Sequence, residues 1–389
     1  MLAPTMRAHV DVDAVVATTT ALVGVDTQNP PGRERDLIPL CRDLLGDFDA
    51  RFEEVEPAPG RISLLATIGA GDGCRPTLLV NGHLDVVPVD RAGWTRDPFV
   101  AEVVDGRLYG RGTADMKGGI AAAVEALHAL FRAGREPSCD IVFHLVADEE
   151  VGGALGSGTL VDQGRVHADA CLVPEPTGLA LCVAERGMMK ATVTVHGRPA
   201  HGSQPRNGIS AVEKAAKVVL ALHAADFGGP DHPLLGRPTC NVGMISGGNG
   251  HNIVAPRCQL VIDRRVLPGA TCEATEAEVR RLIDAIDDPE LSYDLESQVF
   301  GEASELDTDH PFVARMQAAL TTTLGRPAPV IGMVFATDAR FMRNQAGIPA
   351  IVCGPGEIAQ AHTNDEWVAV DQLVDAAAAY AELFSTFGS

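Results

Sequence analysis

The segment PTLLVNGHLD (residues 76–85) decides the fold of this chain, because a run of apolar, strand-forming residues ends in a histidine and an acid. In open α/β sheets, ligand-binding groups gather outside the carboxyl ends of buried strands. Two other segments have the same form, namely DIVFHLVADEE (residues 140–150) and ACLVPEPTG (residues 170–178). Together the segments predict an α/β fold in which His83, Glu150 and Glu175 lie at one edge of a sheet.

Two further motifs supply side chains of the same kind. Asp115 stands in GTADMKGG, before an alanine-rich segment with high helix propensity, and His362 stands in AQAHTNDE. Two imidazoles and three carboxylates suit zinc, with cobalt or manganese as substitutes. Three carboxylates and a hydroxide would balance the charge of two divalent cations. The sequence therefore predicts a site for two ions, with Asp115 as the bridging ligand.

Two acids beside these donors are candidates for catalytic roles. Asp85 lies two residues from His83, so both side chains point the same way on an extended strand, and Asp85 can accept the proton of the second ring nitrogen. Glu149 and Glu150 enter one site only where the strand bends, which the following glycine pair permits. Glu149 is then predicted to be the general acid/base. Taken singly, an acidic turn or a strand-end histidine is an ordinary structural feature, and the repetition over five motifs favours catalysis.

The pattern of apolar residues divides the chain into two domains, as its length of 389 residues also suggests. The helices are predicted at residues 13–24, 35–47, 118–132, 210–225, 271–286, 311–324 and 371–386. From about residue 185 a β-α-β-β-α order with a further strand is typical of a small ferredoxin-like unit. We therefore predict a metal-binding catalytic domain (residues 1–184 and 300–389) with a smaller α/β domain inserted at residues 185–299.

Composition and charge argue against several classes of protein. The formal net charge of −21 repels phosphate backbones, so nucleic-acid binding is not expected. No stretch reaches the roughly 18 apolar residues of a membrane span, so a membrane partner is not expected either. The nine cysteines are scattered and form no C-x-x-C pair, which favours a reducing, cytoplasmic location.

These motifs together resemble the amidohydrolase family of acetylornithine deacetylase, succinyl-diaminopimelate desuccinylase, aminoacylase and glutamate-releasing bacterial carboxypeptidases, a family of dinuclear metallohydrolases. The resemblance runs from about residue 18 to the end of the chain. It is carried by NGHLDVVPV, LYGRGTADMKGG, ADEEVGG, PEPTG, RGMMKATVTVHGRPAHGS, GHNIVAPRCQLVIDRRVLPG and AQAHTNDE. It implies a mixed-sheet, zinc-exopeptidase-like catalytic domain with an inserted ferredoxin-like lid domain that forms a homodimer.

The resemblance also implies a role for each site residue, beginning with a dizinc or cobalt centre. The implied ligand sets are His83, Asp115 and Glu175 for one ion, and Asp115, Glu150 and His362 for the other. Glu149 would be the general acid/base and Asp85 the orienting carboxylate. His201, in GRPAHGS, would reach across the dimer to stabilise the oxyanion, and Arg264 and Asn252 would bind the substrate carboxylate. The peptide bond after the bridging aspartate would be cis.

The predicted activity is hydrolysis of the amide bond of an N-acyl amino acid or short peptide, by water activated between the two metal ions. The segment GPGEIAQAHTNDEW favours acetylornithine deacetylase-like chemistry. The segment FATDARFM is closer to desuccinylases, and Arg340 within it would bind a second carboxylate or form a structural salt bridge. A dipeptidase or carboxypeptidase is an alternative. An inactive dimer that binds amino acids or peptides is an alternative from another class.

Overall fold

The structure is a computed structural model that describes residues 5–388. These residues divide into two units. The first contains the described chain up to Val183, Leu306–Ile331, and the described chain from Thr337 onward, and the second contains Ala184–Glu305 and Gly332–Ala336. No helix among residues 5–388 is both long enough and apolar enough to cross a membrane.

Eight α-helices and sixteen β-strands form the regular structure of residues 5–388. The helices are α1 (Val12–Val23), α2 (Ile38–Gly46), α3 (Lys117–Arg132), α4 (Thr159–Asp162), α5 (Ala211–Leu222), α6 (Cys272–Asp284), α7 (Pro311–Leu324) and α8 (Val370–Thr386). The strands are β1 (Arg51–Ala58), β2 (Arg61–Ile68), β3 (Thr77–His83), β4 (Glu102–Val104), β5 (Arg107–Tyr109), β6 (Asp140–Val146), β7 (Ala170–Pro176), β8 (Leu181–Glu185), β9 (Gly187–His196), β10 (Thr239–Gly247), β11 (Arg257–Val266), β12 (Ser292–Gly301), β13 (Ser304–Glu305), β14 (Val330–Met333), β15 (Ala350–Gly354) and β16 (Trp367–Ala369).

The first unit is built on a mixed sheet with the strand order β1-β2-β6-β3-β7-β15-β8. The four central strands β6, β3, β7 and β15 are mutually parallel, whereas β1, β2 and β8 run antiparallel to their neighbours. Because β3, β6 and β7 are parallel, their carboxyl ends meet at one edge of the sheet. This edge receives the side chains of the predicted metal site.

Two alanine-rich helices, α3 and α8, pack against each other beside this sheet. The alanines of α3 are fully buried, and so is the run of four alanines at residues 376–379 of α8. Methyl side chains let the helix backbones approach closely, and a close-packed interior resists displacement of either helix. The packing therefore fixes the amino-terminal end of α3, and with it the short segment that carries Asp115.

The second unit contains a separate antiparallel sheet with the order β10-β11-β9-β12. Its elements follow the order β9-α5-β10-β11-α6-β12, which is the βαββαβ order of a ferredoxin-like unit. Ser210 and Thr271 cap α5 and α6 by accepting hydrogen bonds from main-chain N–H groups of the first turn. The predicted fold class is confirmed. The assignment of the two units as catalytic and lid domains stays a prediction.

Acid is expected to destabilise the protein through His144, a buried histidine of β6 that is 2% exposed. Burial, assisted by the nearby His167, lowers the pKa of His144 to about 3. Between pH 6.5 and 3 the unfolded chain therefore binds the extra proton, so this contribution to stability is complete above pH 6.5 and is lost as the pH falls. At pH 4.5 the loss amounts to about 2–3 kcal/mol.

The measurement is the midpoint of thermal unfolding between pH 7 and pH 4.5 for the wild-type protein and His144→Leu. The variant should lose markedly less stability on acidification, because leucine takes up no proton. His251→Gln, which replaces an exposed histidine, serves as the control and should follow the wild-type profile. Parallel profiles for His144→Leu and the wild type would contradict the prediction.

Candidate metal centre

Five side chains converge at the carboxyl edge of the first unit's sheet. His83 is the last residue of β3, and Glu175 lies near the end of β7. Glu150 belongs to a single 3-10 turn that follows β6, and Asp115 lies in the segment directly before α3. His362 comes from the connection between β15 and β16. The structure thus brings together all five donors that the sequence predicts.

The five donors form two groups of three, and Asp115 belongs to both. In each group the ligand atoms lie within 4.8 Å of one another. The Asp115 Oδ1 atom is 3.0 Å from Nε2 of His83, and its Oδ2 atom is 3.3 Å from Nε2 of His362. His83 Nε2 is also 3.5 Å from Glu175 Oε1, and His362 Nε2 is 3.0 Å from Glu150 Oε2. Each oxygen of Asp115 therefore faces a different histidine, which is the placement expected of a bridging carboxylate.

The acids of the centre repel one another. Burial and the neighbouring charge of Asp115 raise the pKa of Glu175 to about 8 and also raise the pKa of Glu150. Hydrogen bonds to Asp115 and Glu150 raise the pKa of His362 to about 10. Several buried carboxylates at this spacing need positive charge beside them, and imidazole and carboxylate donors are those that borderline divalent cations prefer. The residues present therefore fit divalent metal ions.

A sharp bend after β6 lets the neighbouring Glu149 and Glu150 enter the same site. Asp148 has φ 76° and Gly152 has φ 116°, both in the left-handed region. Gly153 also has a positive φ of 68°, and a Cβ atom added there would overlap the Asp338 side chain. Only glycine both adopts this positive φ readily and leaves room for the Asp338 side chain at residue 153. The bend predicted from the glycine pair is present.

Asp85 makes contacts other than those expected of it. His83 Nδ1 lies 2.8 Å from the main-chain carbonyl oxygen of Asp85, and 3.7 Å from its Oδ1 atom. The fully buried carboxylate instead accepts hydrogen bonds from the N–H groups of Glu149 and Glu150, each at 3.2 Å, and from Asn29 Nδ2 at 2.8 Å. Asp85 therefore holds the ring of His83 through its main chain and the acidic turn through its side chain.

Glu149 belongs to neither group of potential ligands. Burial of its carboxylate raises its pKa well above the ordinary value, and the charges of Glu175, Asp338 and Glu150 add to this effect while His83 opposes it. A carboxyl group with a raised pKa is a stronger base than an ordinary carboxylate, which suits it to accept and return a proton. The electrostatic surroundings of Glu149 thus suit the role predicted for it, which stays a prediction.

Glu366 organises the segment that carries Asp115, and the sequence prediction did not include it. Its Oε1 atom accepts hydrogen bonds from the main-chain N–H groups of Gly112, Ala114 and Asp115 at 2.9–3.1 Å. Its Oε2 atom accepts from Arg111, and neither side chain is appreciably exposed. The available signal was the position of Glu366, four residues after His362 in AHTNDE. In a chain with 52 acidic residues that signal is weak.

The predicted substrate-binding residues are engaged within their own units. Arg340 donates to the carbonyl oxygens of Gly152 at 2.6 Å and Thr337 at 3.3 Å. His201 is exposed, and its Nδ1 atom lies 2.8 Å from Ser203 Oγ. The main-chain carbonyl oxygen of Asn252 accepts a hydrogen bond from the N–H group of Gly202. Arg264 is 2% exposed; its guanidinium pairs with Glu278 at 2.6 Å and stacks 3.5 Å from the ring centroid of Phe227. Contacts of these residues with substrate stay predictions.

Sequence comparison identifies the family of this chain. Residues 79–386 match the profile described as Peptidase family M20/M25/M40. The chain belongs to this family. Members of the M20 family are metal-dependent hydrolases, which agrees with the donor set at the sheet edge. The peptide bond between Asp115 and Met116 is cis, as the resemblance implied.

Several curated M20 relatives are acetylornithine deacetylases. The protein of that name from Proteus mirabilis is 32% identical over 337 residues, covering 81% of this chain and 80% of the relative. The one from Pectobacterium carotovorum is 32% identical over 378 residues, covering 93% of this chain and 91% of the relative. The expected family is therefore confirmed over most of the chain.

Solved structures of M20 proteins share the fold. Aminopeptidase PepT from Bacillus cereus superposes with a TM-score of 0.82 at 23% identity, covering 97% of this chain and 99% of that chain. The YXEP protein of Bacillus subtilis, described as a dinuclear metal binding peptidase, superposes with a TM-score of 0.70 at 13% identity, covering 97% and 98%. At these identities the comparison establishes the fold alone.

Proposed function

We propose that this M20 protein hydrolyses the amide bond of an N-acyl amino acid, as acetylornithine deacetylases do, with two divalent metal ions as cofactors. The single observation that carries the proposal is the position of Asp115, whose two oxygens face His83 and His362 at 3.0 and 3.3 Å. One carboxylate placed between two donor groups is the arrangement that a pair of metal ions requires.

The residues of the centre divide the work of the proposed reaction. His83 and Glu175 would hold one ion, and Glu150 and His362 would hold the other. Asp115 would bind both ions. Zinc or cobalt ions, when bound, would polarise the amide carbonyl and make a water molecule more acidic. The raised pKa of the Glu149 carboxyl group suits it to take a proton from the attacking water and to deliver it to the leaving amine nitrogen.

Asp85 would keep Glu149 in place for this proton transfer. Its carboxylate accepts the main-chain N–H groups of both Glu149 and Glu150, so the catalytic acid and the neighbouring ligand are held from one point. Because Asp85 is fully buried, water does not compete for these hydrogen bonds. A small movement of this turn would separate the proton acceptor from the reacting atoms, which is costly for catalysis.

The choice of an N-acyl amino acid rests on the curated relatives. Those reported above carry the name acetylornithine deacetylase at 32% identity over most of this chain. Arg340, the candidate for a second substrate carboxylate, donates to main-chain carbonyls, and these contacts do not by themselves favour or disfavour a succinyl substrate. Acetylated amino acids are therefore proposed ahead of succinylated ones.

The proposal includes a homodimer formed through the second unit, with His201 as an oxyanion-stabilising group and Arg264 and Asn252 as substrate-binding groups. What supports the dimer is strand β10, which forms one edge of the four-stranded sheet. Its residues Met244 and Ile245 are 66% and 55% exposed. An apolar, unpaired strand edge in a soluble unit is usually covered by another strand or chain.

Removal of the metal ions is expected to abolish amide hydrolysis. After exhaustive chelation and dialysis, activity should fall to background, and addition of zinc or cobalt should restore it together with about two equivalents of bound metal. The assay uses N-acetylornithine, with N-succinyl-diaminopimelate, N-acetylmethionine and simple dipeptides for comparison. Preference for the acetylated amino acids supports the proposal, whereas preference for dipeptides indicates a peptidase. Full activity without metal, or metal binding with no turnover on any of these amides, would refute it.

A further inference from the structure

One cavity of the first unit lies away from the metal centre. It has a volume of about 670 Å³ and lies against strands β1, β2 and β6 and the segment that follows α4. Its lining includes Thr77, the first residue of β3, whereas His83 is the last. The two residues are six positions apart on the strand, which is a distance of roughly 20 Å. This cavity, called here the β1–β6 cavity, contains none of the five potential metal ligands.

The sheet register places the polar side chains of this cavity on one face. Glu53 of β1 is opposite Leu65 of β2, which in turn is opposite His144 of β6. Arg51 lies two residues from Glu53 and is opposite Thr67. Residues paired across a sheet, and residues two apart on a strand, point to the same side. The side chains of Arg51 and His144 are therefore directed into the same space.

The lining of the cavity has more cationic than acidic side chains, whereas the chain as a whole is acidic. Arg51, Arg165, His144 and His167 contribute to it, and Glu53 is the acid among the lining residues. Glu53 pairs with Arg165. Arg51 donates to the carbonyl oxygens of Gly69 at 3.1 Å and Ala70 at 2.8 Å, which do not neutralise its charge. In a protein of formal net charge −21, this concentration of cationic and imidazole groups favours an anion.

One buried polar atom of the cavity also lacks a partner. Nδ1 of His144 is buried and has no hydrogen-bond partner within the part of the chain that the structure describes. Buried polar side-chain atoms in folded proteins are nearly always hydrogen-bonded, to protein, water or ligand. A histidine ring supplies either a donor or an acceptor at this position. The unmatched atom has almost no accessible surface, so it marks an unsatisfied polar group beside the cavity and is not itself a contact for a molecule within it.

We propose that the β1–β6 cavity binds a small anionic metabolite through a phosphate or carboxylate group, at a site separate from the metal centre. The planar guanidinium of Arg51 matches the two oxygens of such a group. The exposed imidazole of His167 would provide a further polar contact, and the volume accommodates a molecule larger than the anion alone. The proposal is independent of which amide the metal centre hydrolyses.

The test is isothermal titration calorimetry of the metal-loaded full chain with inorganic phosphate and, separately, with succinate, at constant ionic strength. We expect saturable binding of one equivalent of at least one of these anions. Arg51→Gln should weaken it at least tenfold, whereas Arg35→Gln should change it less than twofold. Arg35 is a matched control because it is also an arginine, is half-exposed, and lies outside the cavity lining. It pairs with Glu56, a residue of the same strand β1 that carries Arg51.

A second variant is needed because Arg51→Gln could weaken binding by disturbing the loop whose carbonyl oxygens Arg51 contacts. His167→Gln replaces an exposed side chain of the cavity and should weaken anion binding severalfold in a protein with wild-type thermal stability. A preference for phosphate or for succinate would identify which group the metabolite carries. Binding that both cavity variants leave unchanged would place the anion elsewhere, for example at the metal centre, and overturn the proposal. The absence of saturable binding of both anions would overturn it as well.

Discussion

Glu149→Gln is expected to lower kcat for amide hydrolysis by about 10²–10⁴-fold while the bound metal stays at the wild-type level. Glutamine keeps the size and polarity of the side chain but cannot accept and return a proton. The metal content should persist because Glu149 belongs to neither group of potential ligands. The hydrogen bond that positions the residue also survives, since it joins the main-chain N–H of Glu149 to Asp85.

The matched variant for this experiment is Glu150→Gln, in the neighbouring residue. Glu150 lies within 3.0 Å of His362 in one of the potential ligand groups, so its replacement should lower metal content and activity together. Metal analysis and steady-state kinetics on the same samples separate the two effects. Wild-type turnover in metal-loaded Glu149→Gln would remove Glu149 from the proposed role, and loss of metal from this variant would make it a ligand instead.

Glu366→Gln is expected to weaken metal binding by about 10–100-fold, although Glu366 is in neither potential ligand group. The amide oxygen can still accept the N–H groups of the Asp115 segment. The amide nitrogen, however, faces the buried guanidinium of Arg111, so one donor meets another. Loss of one member of a buried ion pair typically costs about 3–5 kcal/mol, because the remaining charge is left without compensation. The resulting shift of the Asp115 carboxylate would affect both ions.

Metal affinity can be measured by competition with a chromogenic chelator. The matched control is Glu357→Gln, an exposed acid nine residues earlier in the same connection, which bonds to Gln372. It should retain wild-type affinity and activity. If high metal concentration restores the kcat of Glu366→Gln, the residue acts by positioning Asp115. If affinity is equal in the wild type and in Glu366→Gln, Glu366 only stabilises the loop.

The fold could be predicted well where the apolar pattern is periodic. The helix predicted at residues 311–324 coincides with α7, and the one predicted at 371–386 differs from α8 by one residue. Strand β1 was not predicted, because half of the residues in RFEEVEPA are charged and most of its side chains face solvent. Its position at the edge of the sheet explains this composition. Edge strands carry a weak sequence signal because few of their residues enter the core.

The candidate site could be predicted as far as its motifs extend. The five donors were identified because each follows or precedes a recognisable element, and the structure places them together. The side-chain contacts of Asp85 were not predictable, because strand alternation gives the direction of a side chain and not the partner that it meets. Glu366 was missed for a related reason. Its partners are main-chain N–H groups of a distant segment, which leave no trace in residue type.

The two histidines of the centre differ in their access to solvent: His83 is 1% exposed, whereas the side chain of His362 is 56% exposed. An ion dissociates from such a site by stepwise replacement of protein ligands with water, and water reaches His362 without any opening of the chain. Two metal ions bound as proposed would therefore differ in their rates of dissociation even though their ligand types are alike. If two ions bind as proposed, the one held by His362 would exchange faster than the one held by His83, and a partly demetallated protein would retain the ion beside His83.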